Sequence, residues 1–165
     1  MIRNTLILAT ALIIGCTSSP NEAQESTQNA APLVAEGPVD QSDTITVIAS
    51  GANMSEMKFD KKAIRVPANK TLTIALKNES TDATMPHNIV IVNEGKANDV
   101  GQAGLHHKEN SYVQPNDPNV IAHSPLAQID QTVYFTFTTP AAGDYAFICS
   151  YPGHWGMMKG KFLTR

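Results

Sequence analysis

From residue 44 onward, apolar and polar positions alternate with a period of two over short stretches. Leu72, Ile74 and Leu76 fall on one side, with Thr71, Thr73 and Lys77 on the other; Val133, Phe135 and Phe137 alternate with Thr132, Tyr134, Thr136 and Thr138. A strand turns successive side chains to opposite faces, so this spacing predicts strands that bury one face. Further candidate strands are 44–49, 63–66, 88–92, Tyr145-Ala146-Phe147-Ile148 and 160–164, separated by Pro, Gly, Asn and Asp. Many short strands with turn residues between them predict an all-β fold, an antiparallel sandwich with Greek-key connections. The stretch 94–118 breaks the pattern and reads as an irregular excursion outside the sandwich, weakly helical around Lys96 to Leu105 despite Gly101 and Gly104.

Before residue 44 the pattern is different. Arg3 precedes the apolar run Leu6-Ile7-Leu8-Ala9-Thr10-Ala11-Leu12-Ile13-Ile14, which ends in Gly15 and Cys16. The run is well short of the roughly 20 residues that cross a bilayer, so 1–15 reads as an export signal. Ile13-Ile14-Gly15-Cys16 resembles a bacterial lipobox, which implies cleavage before Cys16 and a lipid on its sulfur; the alternative is an ordinary secretory signal with a coincidental cysteine. Residues 16–43 are rich in Ser, Thr, Asn, Gln and Pro, carry Glu22, Glu25, Glu36, Asp40 and Asp43, and hold no Lys or Arg. Such a segment buries too little to fold and reads as an acidic, flexible linker. The expected order is therefore signal 1–15, lipidated cysteine and linker 16–43, and one folded domain 44–165. The location implied is the bacterial cell envelope, periplasmic side. Thr17 and Ser18 after the cysteine, with no Asp, favour the outer membrane in a Gram-negative cell.

The chain's 165 residues allow one ordinary domain. Its net charge of -3 comes mostly from the linker, and the domain has no basic stripe of the kind that holds nucleic acid. Only Cys16 and Cys149 occur, so the domain has no internal disulfide, and Cys149 needs another role in an exported protein.

That role is suggested by the segment from Cys149 through His154 to Met158, where a thiol, an imidazole and a thioether fall at C-x4-H-x3-M between two predicted strands. Soft sulfur suits Cu(I) and imidazole suits both oxidation states, so the set points to copper. A second histidine is available in Met85-Pro86-His87-Asn88. Two histidines and a thiolate with a weak axial methionine form a blue-copper electron-transfer site. Met157 competes with Met158 for the axial position.

These motifs, together with Met57-Lys58-Phe59, Tyr112-Val113-Gln114-Pro115 and Val120-Ile121-Ala122-His123-Ser124, stand in the order found in azurins and cover most of 44–165. The chain therefore resembles the azurin branch of the cupredoxins. The resemblance implies a cupredoxin-like Greek-key sandwich and one copper ion on His87, Cys149, His154 and the axial Met158. It implies a weak contact from the carbonyl of Pro86, at a position where the family usually has glycine, and a bracing role for Asn88. It places Met57, Met85 and Tyr151 in an apolar docking surface around an exposed edge of His154. Trp155 either enlarges that surface or packs on the domain itself. The implied activity is non-enzymatic one-electron transfer with redox partner proteins such as cytochromes or membrane complexes. Two family features have no counterpart: the disulfide near the domain's N-terminus, and a non-ligand histidine with a pH response.

Two other readings use the same residues. An envelope copper carrier or buffer would hand over the ion instead of an electron. A thiol enzyme would make Cys149 a nucleophile with His154 or His87 as base, which leaves Met158 without a role. His106, His107 and His123 read as solvated.

Overall fold

The computed structural model describes residues 38–165. The predicted signal, Cys16 and most of the linker lie outside the described residues. Among the described residues, nine strands form two sheets. The first, in the order β2-β1-β4-β7, contains β1 (Thr44–Ser50), β2 (Lys58–Phe59), β4 (Thr71–Asn78) and β7 (Thr132–Thr138). The second, in the order β3-β9-β8-β5-β6, contains β3 (Ala63–Val66), β5 (Val90–Asn93), β6 (Val120–His123), β8 (Gly143–Ile148) and β9 (Lys159–Thr164).

The period-two residues meet between the sheets. Ile45, Val47 and Ala49 of β1, and Leu72, Ile74 and Leu76 of β4, join Phe59, Phe147 and Phe162 in one buried cluster. At roughly 25 cal/mol per Å² of apolar surface removed from water, this is the main stabilising contribution. The sandwich is cupredoxin-like, as expected, but it is not wholly antiparallel. β1 pairs with β4 in parallel, and β3 with β9 in parallel. After β2 the chain leaves the first sheet for β3 and returns as β4, so it re-enters beside β1 running in the same direction.

The excursion contains one helix, α1 (Ala97–Gly104), and a single 3-10 turn at Lys108–Asn110. Lys96 caps the helix without a side-chain bond, while Asp99 lies in the first turn, where its charge complements the helix dipole. Val100 and Val113 pack on Val90, Val92 and Ile148 in a second buried cluster. The excursion thus covers the outer face of β5 and β8, which is why the run from Ile89 to Val92 is apolar at every position and fully buried.

Candidate metal centre

Cys149 directly follows β8 and Met158 directly precedes β9, so the ladder that pairs Ile148 with Lys159 closes the intervening loop. The Cys149 N–H donates to the Met158 carbonyl at 3.0 Å, and the N–H groups of Met157 and Met158 both donate to the His154 carbonyl, at 3.0 and 2.8 Å. Gly153, with φ of 85°, makes the turn that brings His154 back over Cys149. His87 stands at the entry to β5, the strand paired with β8 in the same sheet. It is fixed by a two-bond bridge to Ala127, with N···O distances of 3.1 and 2.7 Å.

These loops bring three donor atoms together. Cys149 Sγ lies 3.8 Å from Nδ1 of His87 and 3.6 Å from Nδ1 of His154, and the two nitrogens are 3.2 Å apart. Typical metal–thiolate and metal–imidazole bonds of about 2.3 and 2.0 Å, set at trigonal angles, separate sulfur from nitrogen by about 3.7 Å and the nitrogens by about 3.5 Å. The observed triangle has that size, so the donor set fits one small ion. Among the described residues this is the only group of three ligating His, Cys, Asp or Glu side chains. Met158 is fully buried in the same apolar cluster as Cys149, whereas Met157 is 48% exposed.

Burial sets the protonation of the donors. It lowers both histidines to about 4, helped at His87 by the neighbouring His154, so both rings are neutral at ordinary pH with a lone pair available. Burial pushes the Cys149 thiol up to about 12, so in the absence of a cation the sulfur keeps its proton. The nearby Oγ of Ser80, 2.9 Å from His87 Nε2, accepts the ring proton when it resides on that nitrogen; Nδ1 then keeps its lone pair towards Cys149.

The residues around the donors form a polar brace. Asn88 donates to the Ser111 carbonyl at 2.7 Å and to Ser150 Oγ at 2.8 Å, and accepts from the Ser150 N–H at 2.8 Å. It thereby ties the His87 loop to the Cys149 loop and holds Ser111 and Tyr112, both left-handed at φ of 57° and 60°. Asn78 donates to the Met85 and Ala127 carbonyls, both at 3.0 Å, and accepts from the Ser80 N–H at 2.9 Å. Asn78 and Ser80 are not among the site residues expected from the sequence. Their only signal was two polar residues at and just beyond the end of β4.

The expected docking surface is different. Met57 and Met85 are each 2% exposed and belong to the interior. The 51–57 loop folds back on itself, with Glu56 and Met57 N–H groups donating to the Asn53 carbonyl, while Met85 is drawn in through its carbonyl bond to Asn78. Nor does His154 have an exposed edge, since only 1% of it reaches solvent. The half-buried Tyr151 ring lies across it at 4.8 Å and meets Tyr112 edge-on at 5.1 Å. Trp155 packs on the domain itself, in the cluster beneath α1; a Cβ at Gly101 would collide with its indole. The exposed apolar side chains near the loop are instead Met157 and Met54, whose methyl lies against Gly153. Pro86 is half-buried. Of the remaining histidines, His106 is exposed; His107, beside Glu109 at 3.4 Å, and His123 are half-buried, not fully solvated.

Residues 45–164 match the family model described as copper binding proteins, plastocyanin/azurin family. Auracyanin-A of Chloroflexus aurantiacus is 41% identical over 120 residues, which span 71% of this chain and 73% of that protein. Outer membrane protein H.8 of Neisseria gonorrhoeae is 37% identical over 110 residues, spanning 64% of this chain and 60% of that protein. The crystal structure of dithionite-reduced auracyanin from Roseiflexus castenholzii superposes with a TM-score of 0.66 at 34% identity, covering 76% of this chain and 99% of that one.

Proposed function

This chain belongs to the plastocyanin/azurin family of copper-binding proteins, and we propose that it is a one-electron carrier held in the cell envelope by a lipid on Cys16. The observation that carries the electron-transfer reading is the buried triangle of one sulfur and two nitrogens. Bound there, copper supplies a Cu(I)/Cu(II) couple that stores one electron.

The protein's own part is to hold the donors in place. Cys149 gives up its proton as the metal is bound, so uptake releases a proton and is easier at higher pH. His87 and His154 present Nδ1, and Ser80 keeps the His87 proton on the far nitrogen. Met158, buried beside Cys149, would add a weak thioether ligand, and the Pro86 carbonyl would be a further candidate contact. Buried donors anchored by backbone ladders and by Asn78 and Asn88 have little room to move, so little rearrangement accompanies a change of charge. The apolar shell excludes water. Tyr151, lying across His154, is the route to the surface, and the exposed Met54 and Met157 flank the loop where a redox protein would dock. No catalytic group is assigned.

Titration with Cu(II) should give an intense blue absorption that a reductant bleaches; its absence would sink the reading. An envelope copper carrier is separated by rates: ion exchange with a copper acceptor would outrun electron self-exchange. The order of signal 1–15, linker 16–43 and domain 44–165 is proposed with the tether. The similarity to outer membrane protein H.8 of Neisseria gonorrhoeae supports an envelope location. Labelled fatty acid should enter the wild type and not Cys16→Ser, and the variant should leave the membrane fraction with its copper spectrum intact.

A further inference from the structure

Among the described residues the two sheets end in four edge strands, and three of them are blunted. β2 has two residues and carries Lys58; β3 has four, carries Arg65 and runs into Pro67; β6 has four and pairs across a bulge opposite Ile91 and Val92. β7 is unlike them. Its seven residues, Thr-Val-Tyr-Phe-Thr-Phe-Thr, contain no charge, glycine or proline, and its ladder with β4 runs without a shift from Thr132 to Thr138. Long, regular, uncharged edges are what folded proteins normally avoid, because their free N–H and C=O groups template another strand.

Which groups are free follows from the register. Asn78 N–H bonds to the Gln131 carbonyl and Thr139 N–H to the Lys70 carbonyl, so residues 133, 135 and 137 turn their backbone groups to β4. Thr132, Tyr134, Thr136 and Thr138 turn theirs outward. Among the described residues nothing covers the core along this edge. Val133, Phe135 and Phe137 are only partly buried, although the facing β4 residues Leu72, Ile74 and Leu76 are 0–3% exposed. Phe135 and Phe137 stack at 5.4 Å, and Tyr134 is 64% exposed.

We propose that β7 is a self-association edge, on which a second copy of this chain pairs antiparallel about a two-fold axis through Phe135. The strand is nearly its own reverse about that residue. Tyr134 then faces the partner's Thr136, Val133 the partner's Phe137, and Thr132 the partner's Thr138, with Phe135 against its own copy in a close, non-hydrogen-bonded pair. All four outward residues are satisfied by on the order of eight backbone bonds, and no like charges meet. The inner aromatic side chains gain a cover, and the first sheet becomes continuous across both copies. The metal-site end of β7 is Thr132, opposite Lys77 and next to the Asn78 brace. Antiparallel pairing therefore sends the two metal loops to opposite ends and leaves both open to partners. The proposal does not depend on which metal is bound.

Sedimentation velocity of the purified full chain in mild detergent should show a dimer that grows with concentration. Tyr134→Lys places two cations about 7–8 Å apart diagonally across the axis and should remain monomeric, with unchanged circular dichroism. Hydrogen exchange supplies the second measurement. In the wild type the amides of Thr132, Tyr134, Thr136 and Thr138 should become protected as concentration rises, while those of Val133, Phe135 and Phe137 are protected throughout. A wild type that stays monomeric at every concentration overturns the proposal. So does a dimer that survives Tyr134→Lys with the alternate amides unprotected, or protection that appears only when a different protein is added.

Discussion

The two histidines of the metal centre are equally buried and equally neutral, yet they are held by different physics. His87 is held by hydrogen bonds: two to Ala127 through its backbone, one to Ser80 through its ring, and the Asn78 bonds that fix Met85 before it and its bridge partner Ala127. Among the described residues His154 has no hydrogen-bond partner for its ring beyond the other donors; it is held by a turn, by the Tyr151 ring, and by the packing of the next residue, Trp155, beneath α1. Polar networks fix direction, because a buried group left unpaired costs about 1–3 kcal/mol. Packing fixes position with less directional demand. The His87 side is thus a rigid reference, and the His154 side is the one that can yield to a docking partner.

The largest change removes the atom that both rings face. Cys149→Ser should abolish the intense thiolate-to-copper absorption altogether, because the band belongs to the sulfur. Retention of the band would refute the centre.

Acid should next expose what the rings have in common. Both folded-state values lie near 4, below the unfolded 6.5, so between those limits the unfolded chain binds more protons. The metal-free protein should therefore lose stability as pH falls from about 6.5 to about 4, at up to about 1.4 kcal/mol per pH unit for each histidine. Denaturant midpoints measured across that window test this, and a flat profile would contradict the burial. The copper form should resist, since metal and proton compete for the same nitrogen.

Smaller effects should separate the two sides. Trp155→Ala removes a half-buried indole and should cost about 2–3 kcal/mol, below the range for fully buried aromatics. It should broaden the His154 ring resonances and leave those of His87 sharp. Ser80→Ala should cost about 1–2 kcal/mol, chiefly by leaving His87 Nε2 unpaired, and should affect only the His87 ring and its tautomer. Thr at position 80 should restore it. If each variant disturbs both rings equally, the division between bonded and packed sides is wrong.

Period-two alternation made β4 and β7 readable because each strand buries one face, and the loop from Cys149 to Met158 was readable because its spacing is local. Parallel pairing of β1 with β4 was not, since it depends on where the chain crosses between sheets. Met57 and Met85 were placed on the surface by resemblance, but their burial depends on how the 51–57 loop folds back and on Asn78, neither of which leaves a trace in hydropathy. The packing of Trp155 depends on α1, some fifty residues away in sequence. Ser80 carries no mark in the sequence, because its bond to His87 exists only in the folded chain.

The smallest expected effect concerns two adjacent methionines. Met157 and Met158 differ by one position, and the loop turns them to opposite environments: 48% exposed against fully buried. The backbone of each is engaged, Met158 with Cys149 and Met157 with Lys159, so truncating either side chain leaves the loop closed. Met157→Ala should therefore change stability by less than about 0.5 kcal/mol, as surface substitutions do, and leave both absorption and reduction potential in place. Met158→Ala should cost about 2–5 kcal/mol through the cavity it opens, and should shift the potential through the lost axial sulfur. Voltammetry on both variants decides it. A shift in Met157→Ala as large as that in Met158→Ala would move the axial contact one residue back and would mean that the ligand loop rearranges when the metal binds.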